Sequence, residues 1–87
     1  MKNKNITKNI LEYTVIFEPA EEGGYVATVP VLDNITTEGD TYEETVEMVK
    51  DAITGVIEVM KENRIEIPVE KPDTFFRKIS FNPSSYL

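Results

Sequence analysis

Thr41-Tyr42-Glu43-Glu44-Thr45-Val46-Glu47-Met48-Val49-Lys50 is the stretch that decides how this chain folds. Thr41 with Glu44 three places on has the pattern of a helix capping box, and Asp40 with Glu43 offers the same pattern one register earlier. Asp40, Glu43, Glu44 and Glu47 gather where a helix dipole favours negative charge. Beyond them the apolar positions follow the helical period. Val46, Val49, Ile53, Val56, Ile57 and Met60 form one stripe, and Met48, Ala52 and Val59 widen it to about half the circumference. Glu43, Glu47, Lys50, Asp51, Thr54, Glu58 and Lys61 fill the other side. So wide an apolar arc predicts contact with more than one neighbour. Lys61 and Arg64 suit the C-terminal end of the dipole, and Pro68 bars continuation. Gly55 falls mid-helix at the edge of the arc, where it costs up to about 1 kcal/mol against Ala. Either close approach of another backbone or a neutral exchange accounts for it.

Three strands are expected before the helix. Leu11 to Glu18 is rich in β-branched and aromatic residues and reads as the first, stopped by Pro19. Glu21-Glu22-Gly23-Gly24 is a turn whose glycines supply positive φ, and Tyr25 to Val29 is the returning strand, ended by Pro30. Ile35 to Glu38 is a short third strand closed by Gly39. After the helix, Thr74 to Phe81 reads as a fourth strand, with Phe75, Arg77, Ile79 and Phe81 on one face and Phe76, Lys78 and Ser80 on the other. The expectation is an α+β fold of β-β-β-α-β order: a small antiparallel-type sheet with one long helix packed on one face. The 87 residues leave room for one domain, with residues 1–10 as an arm and 82–87 as a tail. One helix covers one sheet face, so apolar groups on the second face, Ile16 and Val26, point to a homo-oligomer, a dimer or tetramer.

Composition excludes much chemistry. There is no Cys and no His, which removes disulfides, thiolate zinc sites, His-based acid–base catalysis and the Ser-His-Asp and Cys-His nucleophile systems. The longest apolar runs, such as Val15-Ile16-Phe17, are too short to span a membrane, and Lys2, Lys4 and Lys8 are followed by no apolar segment of a secretory signal. A cytoplasmic location is expected. Carboxylates are the only catalytic candidates in quantity, yet the interior of the first strand holds none, and the helical acids lie along a solvated face. Glu38 and Asp40 read as turn and capping residues. Gly23-Gly24 lacks the spacing and the following helix of a phosphate loop. No catalytic residue, metal or cofactor is expected.

The net charge of −7 is unevenly placed. Residues 1–11 carry three Lys and no acid. Residues 12–70 carry fifteen acids against Lys50, Lys61 and Arg64, a net −12, and residues 71–87 carry Lys71, Arg77 and Lys78 against Asp73, a net +2. An acidic body repels nucleic acid and attracts a basic partner; solubility alone is the plainer explanation of the same charge.

Three motifs in order, Glu21-Glu22-Gly23-Gly24-Tyr25-Val26-Ala27, then Val29-Pro30, then Thr37-Glu38-Gly39-Asp40-Thr41-Tyr42-Glu43-Glu44 leading into a helix, resemble the HicB family of antitoxins over about residues 12–80. The resemblance implies a partial RNase H-like fold and a toxin–antitoxin role: binding HicA, a small basic mRNA-cleaving toxin, and masking its catalytic His. The family commonly has a Leu-Pro-Gly-Cys-like turn where this chain has Leu32-Asp33-Asn34-Ile35, and Asp and Asn supply alternative turn chemistry. Full-length members usually add a C-terminal DNA-binding segment. Residues 82–87 are too few for one, so a stand-alone HicB-like domain without direct DNA binding is expected. Nuclease activity is not expected, because an RNase H site needs an Asp within its first strand and Thr14 to Phe17 offers none. Glu18, Glu21 and Glu22 are the candidate toxin-binding residues, with the acidic helix face as a second surface. The alternative is an orphan oligomeric regulatory or structural domain with no toxin partner.

Overall fold

A computed structural model of the chain describes residues 10–86. Three strands form one antiparallel sheet in the order β1 (Ile16–Pro19), β2 (Tyr25–Val29) and β3 (Ile35–Gly39), followed by a single long helix, α1 (Tyr42–Glu62). The α+β class and the helix on one sheet face are as the sequence pattern requires. Ile16 pairs with Thr28 and Pro19 with Tyr25 across the first hairpin; Tyr25 pairs with Gly39 and Val29 with Ile35 across the second. β1 is shorter than its composition predicts. Continued, its register would set Val15 against Val29 and Thr14 against Pro30, which has no N–H to give and opens a short 3-10 turn, Pro30–Leu32. Asp33 and Asn34, both at φ near +60°, then turn the chain into β3, so the Asp-Asn pair does supply the turn.

Alternation along the strands sorts the sheet into two faces. Ala27 and Val29 are buried on one, with Leu32 from the turn and Val49 from α1 completing the core. Tyr13, Val15, Phe17, Ile35, Ile53, Ile57 and Met60 pack around these four. The other face has no helix. There Ile16 sits in a row with Thr28 and Thr36, and Val26 lies between Glu18 and Glu38.

The start of α1 follows the Thr41 register of the capping box. Thr41 Oγ1 accepts the Glu44 N–H at 3.0 Å, and the Glu44 carboxylate reaches back to the Asp40 N–H at 2.6 Å. Thr45, wholly buried, donates its hydroxyl to the Thr41 carbonyl at 2.6 Å. The helix stops well before Pro68. Arg64 takes a left-handed conformation (φ 56°), its N–H bonds the Lys61 carbonyl and the Ile65 N–H bonds the Met60 carbonyl at 2.8 Å. That is a Schellman motif with Arg in the position that glycine usually fills.

The fourth strand expected over Thr74–Phe81 is not formed. The chain after α1 passes the N-terminal approach to β1, but it is held there by side chains. Tyr13 donates its phenol to the Pro68 carbonyl at 2.6 Å, and Glu70 accepts from both the N–H and the hydroxyl of Thr14. Pro68 and Pro72 carry no N–H, so no ladder starts, and residues 71–84 are exposed throughout. The segment expected as a tail ends in a 3-10 turn, Pro83–Tyr86. Of the N-terminal arm, residues 1–9 lie outside the described residues.

Candidate partner-binding surface

The two hairpins and the cap of α1 bring one end of the molecule together. The β1–β2 turn is closed by Gly23 N–H to the Ala20 carbonyl (3.1 Å) and Ala20 N–H to the Gly24 carbonyl (3.0 Å), with φ of 100° at Gly23 and 77° at Gly24. A Cβ at Gly24 would overlap the Gly39 carbonyl oxygen, so the turn lies directly on the β3–α1 junction. Gly39 is equally constrained: a Cβ there would fall 2.7 Å from Thr45 Oγ1. Tyr42, the first residue of α1, locks the same joint from outside. Its ring lies 4.9 Å from Phe17 and 6.3 Å from Tyr25, in tilted and edge-on geometries that stabilise by about 0.5–1.5 kcal/mol each.

This joint fixes where the acids are displayed. Glu18, Glu21 and Glu22 are all exposed, Glu18 near the end of β1 and the other two on the turn. Glu38 lies across β2 from Glu18 on the open sheet face, each beside Val26. Asp40 and Glu44 then border a shallow hollow of about 220 Å³ with Gly23, Glu38 and Met48. No Lys or Arg occurs between residues 9 and 49, so the three strands and the first two turns of α1 contain no cation. The surface is thus an acidic rim on a rigid joint, suited to long-range attraction of a basic protein and to accepting Lys or Arg hydrogen bonds.

The three glutamates chosen from sequence do share this end. Sequence reasoning assigned Glu38 and Asp40 to turn and capping duty alone. The Asp40 backbone N–H does join the cap, while both side chains stay exposed on the rim. Tyr42 was missed; the available signal was an aromatic residue directly after an N-cap, opposite the aromatic residues of a hairpin. Gly55 is not approached by backbone from within the chain: a Cβ there would meet nothing within 4 Å. The outer apolar stripe of α1 is likewise uncovered, with Met48 and Val59 exposed. Among the described residues no group of three or more carboxylates lies close enough to hold a metal ion, and no helix is long and apolar enough to cross a membrane.

Residues 13–82 match the model of the HicB-like antitoxin of bacterial toxin–antitoxin systems. The chain belongs to the HicB-like antitoxin family. Among relatives of this HicB-like chain, antitoxin HicB 1 of Photorhabdus laumondii subsp. laumondii is 42% identical over 67 residues, covering 77% of this chain and 43% of the relative. Antitoxin HicB of Escherichia coli K12 is 32% identical over 62 residues, 71% of this chain and 45% of that protein. A UPF0150 protein of Synechocystis sp. is 36% identical over 74 residues, 84% of this chain and 90% of its own length. The HicB-like domain described here therefore spans less than half the length of those two antitoxins and nearly all of the UPF0150 protein. The matched region contains the whole acidic joint and the clasp at Thr14 and Glu70.

Proposed function

We propose that this chain is the antitoxin of a toxin–antitoxin pair, a cytoplasmic binding protein without catalytic activity that neutralises a small basic HicA-type mRNA-cleaving toxin. The observation that carries the reading is the acidic joint of a HicB-like domain: Glu18, Glu21 and Glu22 displayed with Glu38 and Asp40 on a hairpin pinned to the helix N-terminus. Complementary charge speeds encounter and selects against wrong partners. The same charge repels DNA phosphates, so residues 12–70 are not a DNA-binding surface. Self-association accompanies this role, with Ile16 and Val26 on the open sheet face as contributing residues.

The test is charge reversal at the turn. The triple variant Glu18→Lys, Glu21→Lys, Glu22→Lys should weaken binding to the HicA-type toxin from the same genome by about a hundredfold or more, with a loss that shrinks as salt rises. Rescue of toxin-arrested growth should fail in parallel. Wild-type affinity in the triple variant would remove the turn from the interface. The second reading, an orphan oligomeric domain, is favoured by the uncovered apolar stripe of α1. It would be preferred if the purified chain self-assembles and no small basic protein binds it.

A further inference from the structure

Two apolar surfaces of this chain are exposed, and the charges that accompany them are complementary. The first is concave and lies on α1. Ala52, Gly55, Val56, Val59 and Met60, with Ile65 beyond the Schellman turn, line an open groove of about 530 Å³ whose one charged lining residue is Asp51. Gly55 makes its floor, since nothing but the helix's own backbone comes near a Cβ there. Val59 and Ile65 are 54% and 53% exposed. The second surface projects. Phe75, Phe76 and Ile79 are 79%, 66% and 68% exposed on an extended segment with strand-like composition, and they flank Arg77 and Lys78.

We propose that a second copy of this chain seats its Phe75–Ile79 segment in the Gly55 groove, and that the exchange is reciprocal and closes a two-fold dimer. The proposal rests on the self-association in the reading above and supplies its principal surface. Charge selects the occupant. The groove is bordered by Asp51, with Glu58 and Glu62 one turn from Gly55 and Val59 on the same helix. The seated segment brings Arg77 and Lys78, within a C-terminal stretch of net +2. That positive segment is repelled by a basic toxin and attracted by a copy of its own acidic body.

Alternation along the segment puts Phe75 and Ile79 on one face and Phe76 on the other, so each seat takes Phe75 and Ile79 into the groove and leaves Phe76 at its rim. Reciprocal exchange also closes, leaving no free groove to recruit a third chain. It adds burial to a chain in which, among the described residues, the buried apolar core is Ala27, Val29, Leu32 and Val49.

Sedimentation equilibrium tests this on the full chain. The wild type should dimerise at concentrations below about 0.1 mM. The double variant Phe75→Ser, Phe76→Ser and, separately, Gly55→Gln should each weaken dimerisation by at least about tenfold. All three sites are exposed, so far-UV circular dichroism should match the wild type in both variants. The absence of Cys allows a direct check. Phe75→Cys chains mixed with Val59→Cys chains should give the mixed disulfide in excess of its statistical share. A monomeric wild type, or wild-type dimerisation in either variant, would overturn the proposal. So would an intrachain disulfide in a monomer carrying both cysteines, which places the segment in its own groove. Loss of dimerisation in Val26→Ser with no effect of the groove and segment variants would also overturn it, while leaving self-association through the sheet face intact. Loss of toxin binding with unchanged dimerisation in the Phe75/Phe76 variant would assign the segment to the toxin instead.

Discussion

Glu70 holds Thr14 by two bonds across 56 residues of sequence, its carboxylate accepting the backbone N–H at 2.7 Å and the side-chain hydroxyl of the same residue. With the Tyr13 phenol on the Pro68 carbonyl, this pair replaces the strand ladder that the chain does not make there. The Thr14 hydroxyl, and then its N–H, hold the Glu70 carboxyl below the usual carboxylate range. Burial pushes the Tyr13 phenol above its ordinary value.

The clasp therefore has a pH window of known sign. A carboxylate with a lowered pKa in the folded chain contributes stability above its unfolded pKa and loses it as the pH falls through the folded value. Protection of the Thr14 amide from hydrogen exchange should fall on acidification, at a lower pH than that at which an unpartnered glutamate takes up its proton. Glu70→Gln should lose that dependence and show a weakly protected Thr14 amide at neutral pH. An amide whose protection is indifferent to both changes would show that the clasp does not hold in solution.

Gly24 and Gly39 should be the least replaceable glycines. Gly24→Ala combines a positive φ with overlap of the Gly39 carbonyl and should cost about 2–4 kcal/mol in chemical denaturation. Gly39→Ala presses on Thr45 and should cost about 1–3 kcal/mol. Gly23→Ala, with the same sign of φ and open space around it, should cost less than Gly24→Ala.

Thr41→Ala should destabilise by about 1 kcal/mol through loss of the bond from the Glu44 N–H. Asp40→Ala should cost little, because Asp40 joins the cap through its backbone N–H. Equal losses at both positions, read from urea midpoints, would contradict the Thr41 register.

Arg64→Gly should stabilise by about 0.5–1 kcal/mol, since Arg64 occupies a left-handed C-cap position that glycine fills without Cβ strain. The gain should appear as a higher urea midpoint with an unchanged slope.

What the sequence disclosed and what it hid divide along a physical line. The hairpin turn, the Thr41 cap and the stripe of α1 depend on neighbours a few residues away, so Gly23-Gly24 and Thr41-x-x-Glu44 announce them. The acidic rim was half legible: Glu18, Glu21 and Glu22 stand out on a turn, whereas Glu38 joins them only through the β2–β3 register. Arg64 gives no sign of a left-handed cap, because the C-terminal carbonyls select that conformation and the side chain does not. The misreading of Thr74–Phe81 has a related cause. β-Propensity reports that a segment fits a pleated surface and is silent on whether an edge is offered to it. Here Pro68 and Pro72 carry the chain past β1 without a ladder.

The stretch from residue 9 to residue 49 without Lys or Arg bears on how the charge should be counted. Screening in physiological salt decays over about 8 Å. The molecule measures 62 × 31 × 25 Å, several such lengths in every direction. A neighbour in solution therefore never meets the sum of −7; it meets whichever region it lands beside. Approach to the joint of the hairpin and α1 is approach to a polyanion, and approach to Arg77 and Lys78 is approach to a cation. The isoelectric point near 4.5 describes how the chain moves in a uniform field, and local sign decides which collisions last.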